Sequence, residues 1–272
     1  MCRVFGCVAA DPTTVRHDLL DAENPLIRQS EEHDSGWGMS VYKRADGGEP
    51  RCLRFPEAAF EADEFVEATQ LRGRIFNVHV RRATMGGLTP ENTHPFCLGP
   101  YSFCHNGTIV QYPKLLTNGV AAPKGQTDSE AFFNFLMNDF DDGHPRRSLR
   151  KAVRSLIECS PFSGINFLFS DGYKLYAYKL GIFGLHWAAR DGSLAVASER
   201  LTTTDTWHSV QDDVLLVLDP DDLDAPHAER LVGDQWVARA EINPLDGGKG
   251  LRGEERGNFA AERAEKLSAD NA

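Results

Sequence analysis

The order of its local patterns constrains this chain most. Short apolar and period-two runs come first, then two helical stretches, then short runs again, and no stretch between them reads as a linker. Arg3-Val4-Phe5-Gly6-Cys7-Val8-Ala9 predicts a buried strand that stops at Asp11-Pro12. Trp37-Gly38-Met39-Ser40-Val41-Tyr42 predicts a second, ended by Asp46-Gly47-Gly48. A third runs from Ile75 to Arg81, and strand alternation puts Ile75, Asn77, His79 and Arg81 on one face. The run 101–105 leads into Asn106-Gly107, the strongest short turn signal in the chain. Thr127-Asp128-Ser129-Glu130 opens a helix: Thr127 caps it, Glu130 sits three residues on, and Phe132, Phe133, Leu136 and Met137 form the apolar stripe. A second helix covers 148–158, and strands follow at 165–169, 175–180, 184–189, 194–197 and 214–218. This order implies sheets covered by helices within one domain, 2–246, with a Gly-rich, then charged segment, 247–272, expected as a loose tail.

A chain of 272 residues, 41% of them hydrophobic and 16 of them Phe, can bury a sizeable core. Its formal charge of −11 argues against nucleic acid or an anionic membrane as partner, since both would be repelled. A small molecule or a protein is the expected partner. No apolar run approaches the roughly 20 residues that span a bilayer, and the start has neither the basic segment nor the apolar length of a signal peptide. A cytoplasmic location is expected. The six cysteines (Cys2, Cys7, Cys52, Cys97, Cys104 and Cys159) form no CxxC pair, which speaks against a zinc knuckle or a thioredoxin-type site. Cys7, Cys104 and Cys159 are expected as buried packing residues, and an even count of cysteines gives no ground for expecting disulfides.

Cys2 differs from the other five. If Met1 is trimmed, the chain begins with a thiol and a free α-amine on one residue, and an amine with a pKa of roughly 7.7 to 8 can take the thiol proton near neutral pH. Such a nucleophile needs donors where negative charge develops. Asn106-Gly107 offers a side-chain amide and an unobstructed backbone N–H, although Asn-Gly is more often only a hairpin turn.

Around these positions stand His79-Val80-Arg81-Arg82-Ala83-Thr84-Met85-Gly86, Asn92-Thr93-His94-Pro95, His105-Asn106-Gly107 and Thr127-Asp128-Ser129-Glu130. With the Met-Cys start, this series resembles the class II glutamine amidotransferases, members of the N-terminal nucleophile hydrolases. Their segments read H-x-R-x-A-T-x-G, N-x-H-P, H-N-G and T-D-[ST]-E in that order. The resemblance extends over about 1–236, includes His33-Asp34-Ser35-Gly36-Trp37-Gly38 and Val196-Ala197-Ser198-Glu199, and is greatest to the small stand-alone branch that contains γ-glutamyl amide hydrolases. It implies an α+β fold, a four-layer αββα sandwich of the N-terminal nucleophile hydrolase type, and no metal or organic cofactor.

Carried over by position, the resemblance makes Cys2 the nucleophile, its amine the base, and Asn106 and Gly107 the oxyanion hole. Arg81 is expected to clamp a substrate α-carboxylate and Asp128 to accept the α-ammonium. Without the family pattern, Arg81 would read as a surface arginine and Asp128 as an ordinary carboxylate at a helix start. Thr84 is expected to line the site through its backbone, and His94 to lie beside the pocket or hold its loop. Trp37 either walls the pocket or packs the core, while His33, His79 and His105 are assigned to structural hydrogen bonds. Two departures stand out. Arg82 takes the place of the aromatic residue of the sugar-synthesising branch, and Ser35 replaces an acidic residue common in the stand-alone branch. The implied reaction is cleavage of glutamine or a γ-glutamyl amide through a γ-glutamyl thioester. The alternatives are an ammonia-donating subunit for a separate synthase and a catalytically silent binding module; a homo-oligomer is left open.

Overall fold

The computed structural model describes residues 2–116 and 120–243, so the expected tail at 247–272 lies outside the described residues. The strands are β1 (Arg3–Thr13), β2 (Trp37–Tyr42), β3 (Arg51–Phe55), β4 (Gly73–Val80), β5 (Phe96–Leu98), β6 (Tyr101–Asn106), β7 (Asn166–Ser170), β8 (Leu175–Lys179), β9 (His186–Arg190), β10 (Ser193–Ala197), β11 (His208–Ser209), β12 (Val214–Asp219) and β13 (Asp222–Arg230). The helices are α1 (Leu26–Gln29), α2 (Asp63–Ala68), α3 (Asp128–Asn138), α4 (Pro145–Cys159) and α5 (Asp234–Val237). One sheet has seven strands in the order β11-β9-β10-β1-β4-β2-β3, and the other has six in the order β13-β12-β8-β7-β6-β5. Every pairing is antiparallel.

Strand alternation produces the layers. On β1, Val4 and Val8 point between the sheets and meet Leu168, Leu175 and Ala177 of the six-stranded sheet. Phe5 and Cys7 point the other way, into a core shared with Leu19, Leu26 and Phe65 of the flanking helical segments. On the far side, Phe103, Phe167 and Phe169 pack under α3 and α4 through Phe132, Phe133, Leu149, Val153 and Leu156. The result is helix, sheet, sheet, helix, as expected. Burying each of these large side chains contributes roughly 1.5–3 kcal/mol, so both faces of each sheet are needed to hold the sandwich.

Several elements depart from the expectation. β1 continues through Asp11-Pro12 to Thr13, because Ala10, Asp11 and Pro12 are exposed at a register shift where the missing proline N–H leaves no ladder bond unmade. Asn106-Gly107 is not a hairpin turn: Asn106 is still in β6, paired with Asn166. Cys52 and Cys97 form a disulfide, a pairing that the cysteine count gave no ground for expecting. They lie 45 residues apart, yet β3 and β5 are the edges of the two sheets, and the sandwich brings those edges together. Cys7 and Cys104 are buried as expected, whereas Cys159 is only partly so. No helix among the described residues is long and apolar enough to cross a membrane.

Candidate active site

Cys2 directly precedes β1, the central strand of the seven-stranded sheet. The alternation that sends Val4 and Val8 inward gives Cys2 the same inter-sheet face. β4 lies beside β1, with Arg3 opposite Val80, so the next residue, Arg81, comes up alongside Cys2. Cys2 Sγ lies 3.7 Å from the carbonyl oxygen of Arg82. Across the gap, Ser102, Cys104 and Asn106 occupy alternate positions of β6, and Cys104 faces the inter-sheet core. Asn106 therefore enters the same space from the opposite sheet.

Burial raises the Cys2 thiol above its ordinary value, while the chain's α-ammonium and Arg81 pull it down and Asp128 pushes it up. Cys2, Arg81 and Asp128, far apart in sequence, thus lie within electrostatic reach of one another. Asp128 begins α3. Thr127 caps that helix by accepting from the Glu130 N–H at 3.2 Å, and Glu130 in turn accepts from the Lys124 and Gly125 N–H groups at 2.9 and 2.7 Å. The Asp128 carboxylate accepts from the Ile109 N–H at 2.7 Å, which ties the helix start to the segment leaving β6. Burial raises its pKa, offset by His105 and by that N–H.

Arg81 is buried, and its guanidinium donates to the carbonyls of Met85, Gly86 and Gly87 at 2.8, 3.2 and 3.0 Å. The fork is thus engaged by the loop that follows its own strand. Gly86 turns that loop with a φ of +75°, a conformation that favours glycine. Asn92 fastens it further, donating to Gly87 O at 3.1 Å and accepting from the Gln126 N–H at 2.6 Å. Thr84 lies half-buried within this loop.

Gly107 is glycine because of space: a Cβ there would lie 1.7 Å from the carbonyl oxygen of Gly164. Asn106 is buried, and its Oδ1 has no hydrogen-bond partner. The histidines form a group behind the site. His79 and His94 stack with ring centroids 4.0 Å apart, and the His79 Nε2 lies 3.3 Å from the His105 carbonyl. His105 Nδ1 meets Ser129 Oγ at 2.9 Å, so it reaches α3. Burial holds His79 down to about 3 and His94 well below its ordinary value, keeping both rings neutral. Among the described residues, no group of three or more His, Cys, Asp or Glu side chains could hold a metal ion.

The structure therefore places Cys2, Arg81 and Asp128 within electrostatic reach of one another, with Asn106 on the facing strand β6 and His94 stacked on His79. Trp37 is separate. It is fully buried against Phe55 and Phe65 on the helix-facing side of its sheet, with ring centroids 4.6 and 5.0 Å away, and so packs the outer core. Sequence reasoning missed Asn92 as the fastener of the 85–87 loop. Its only signal was its place at the head of the N-x-H-P segment.

The model of a family described as "Glutamine amidotransferases class-II" matches residues 1–191. An uncharacterized protein of Methanocaldococcus jannaschii is 31% identical over 188 residues, which cover 66% of this chain and 51% of that one. Among solved structures, a glutamine phosphoribosylpyrophosphate amidotransferase from B. subtilis superposes with a TM-score of 0.65 at 18% identity, covering 86% of this chain and 50% of the other. A glutamine aminotransferase class-II domain protein from Silicibacter pomeroyi gives 0.60 at 19% identity, covering 85% of this chain and all of that one. The chain thus spans about half the length of the first two. With a family match over more than two thirds of its length and the same sandwich in its structural neighbours, the chain belongs to the class II glutamine amidotransferases.

Proposed function

We propose that the chain hydrolyses the γ-carboxamide of glutamine or of a γ-glutamyl amide, with Cys2 as nucleophile. The observation that carries this reading is the placement of Cys2 at the start of β1 beside the end of β4, where its Sγ lies 3.7 Å from the Arg82 carbonyl next to Arg81, with Asp128 within electrostatic reach. A cation and an anion flanking a nucleophile match the carboxylate and ammonium of an amino-acid head group. Once Met1 is removed, the α-amine of Cys2 takes the thiol proton and the sulfur attacks the carboxamide carbon. The resulting oxyanion is met by the Asn106 side-chain amide and the Gly107 N–H. Collapse breaks the C–N bond, and the leaving amine takes the proton back. Water then attacks the thioester with the α-amine again as base, releasing glutamate and restoring the thiol.

Arg81 enters this scheme already spoken for by the 85–87 carbonyls. A substrate carboxylate is the stronger acceptor for a guanidinium, so binding exchanges loop carbonyls for the carboxylate and shifts the loop. Asp128 keeps acceptor capacity beyond the Ile109 N–H and takes the ammonium.

The test is glutamate release from glutamine and from larger γ-glutamyl amides, with α-carboxyl-blocked forms of each, combined with an intact-mass measurement. Expected are a chain beginning at Cys2, loss of activity in Cys2→Ser, and poor cleavage of blocked substrates. Full activity with Met1 retained would remove the amine as base. Equal cleavage of blocked and free substrates would remove the Arg81 clamp, and activity on glutamine that depends on an added synthase would make the chain an ammonia-donating subunit.

A further inference from the structure

The two halves of the proposed clamp are held by separate segments. The carbonyls on which the Arg81 guanidinium rests belong to the 85–87 loop, whereas Asp128 follows the 124–127 turn at the start of α3. Asn92 stands between the two. It is buried at the end of the Pro90–Asn92 turn, its Nδ2 donates to Gly87 O at 3.1 Å, and its Oδ1 accepts the Gln126 N–H at 2.6 Å. One carboxamide thus gives its donor end to the first segment and its acceptor end to the second. Both segments reach it by presenting glycine: a Cβ on Gly86 would lie 3.0 Å from the Asn92 carboxamide, and one on Gly125 would strike its Oδ1.

Other ties between the segments are weaker. The Gln126 side chain accepts from the Gly87 N–H at 3.4 Å on the exposed surface, and the Met85 thioether, a poor acceptor, faces the Asp128 N–H at 3.3 Å. A substrate carboxylate taken up by Arg81 displaces the loop carbonyls, so binding at one end of the head group disturbs 85–87. That disturbance passes through Asn92 to the turn that aims Asp128. Two segments tied in this way are ordered together, and whichever end of the head group binds first bears the cost for both.

We infer that Asn92 is a positioning residue that couples the two ends of the head group, so that carboxylate and ammonium are recognised jointly and a ligand with only one of them gains little. The inference rests on the clamp proposed above and adds to it a means of rejecting amides that carry a single charge.

The experiment compares glutamine with three amides that lack parts of its head group: glutaramic acid without the ammonium, γ-aminobutyramide without the carboxylate, and butyramide without both. The corresponding p-nitroanilides are run beside them, and kcat/KM is measured for the unsubstituted chain, Asn92→Asp and Gly125→Ala. Asp keeps the acceptor for the Gln126 N–H but cannot donate to Gly87, while the methyl group at 125 pushes the turn off Asn92 from the other side. Expected in the unsubstituted chain is a loss on removing either group nearly as large as on removing both, a coupling of roughly 5–150-fold. In the variants, shown by thermal melting to be folded, the two losses become multiplicative and the coupling falls toward one. A merely structural weakening would instead lower all four rates together and keep the coupling. Multiplicative losses in the unsubstituted chain, or coupling retained in folded Asn92→Asp, would overturn the inference and leave the clamp standing. Single removals that cost nothing would remove the clamp itself, and failure to cleave either series would remove the proposed hydrolysis; the inference falls in both cases.

Discussion

Asn106 and Gly107 are neighbours with opposite constraints. The Asn106 Oδ1 has no partner, so truncating this side chain breaks no hydrogen bond made by that oxygen. Asn106→Ala should leave the melting temperature nearly unchanged and lower kcat by about 10²–10³, the scale of one lost oxyanion donor, with KM changing less. Gly107→Ala places a methyl group 1.7 Å from a backbone oxygen that cannot rotate away. Its cost should appear first in denaturant unfolding, at roughly 1–3 kcal/mol or more. The buried histidines set a pH dependence. Burial holds His33 to about 4 and His79 to about 3, below the roughly 6.5 of an unfolded histidine. Their folded values are depressed, so the native state refuses protons that the unfolded chain accepts. Their stabilising contribution is complete above about 6.5 and is lost as the pH falls toward the folded values. Asp128, raised by burial, works in the opposite sense, favouring the native state at pH below its folded value. Urea midpoints should decline from pH 7 to pH 5, and His79→Gln should flatten that decline.

The start of α3 shows how an element sets the site. Thr127 caps the helix, and Glu130 draws in the Lys124 and Gly125 N–H groups, so one turn fixes both Asp128 and the loop before it. Thr127→Ala should cost about 1 kcal/mol, seen as a lower melting temperature, and should raise KM for substrates with a free ammonium. This turn was readable from the sequence, because a cap and its partner lie three residues apart. β2 was readable to the residue, being a mostly apolar run bounded by turn residues, and it is buried on both faces. β13 was not: in Asp222–Arg230 only Pro226 is buried, so its polar sequence carries no alternating signal, and the strand exists through its ladder with β12. Short α1 and α2 escaped for a related reason. Four and six residues are too few to establish a period, and their burial comes from the sheet beneath. Among site residues, Arg81 and Asp128 were legible only through the family pattern, whereas the turning of the Arg81 fork onto its own loop depends on how 85–87 folds back. Trp37 could not be assigned to either face until the register with Val80 was known.

At the scale of the molecule, the Cys52–Cys97 disulfide fastens the two sheets along one edge. Cys52→Ser should lower stability by roughly 2–4 kcal/mol under oxidising conditions and by far less in a thiol reductant, where melting of the unsubstituted chain should fall toward that of the variant. No sequence spacing foretold this pair, since the two edges are neighbours only after the sandwich has closed. The central place of β1 has a consequence in time. The strand that begins beside Cys2 is flanked on one side by β4 and on the other by β10, which ends at Ala197 of a 272-residue chain. The two strands that hold β1 thus come from segments more than a hundred residues apart, Gly73–Val80 and Ser193–Ala197, and its bay exists only when both are in place. Under the function proposed above, the Cys2 thiol therefore gains its completed surroundings only after both flanking strands have docked.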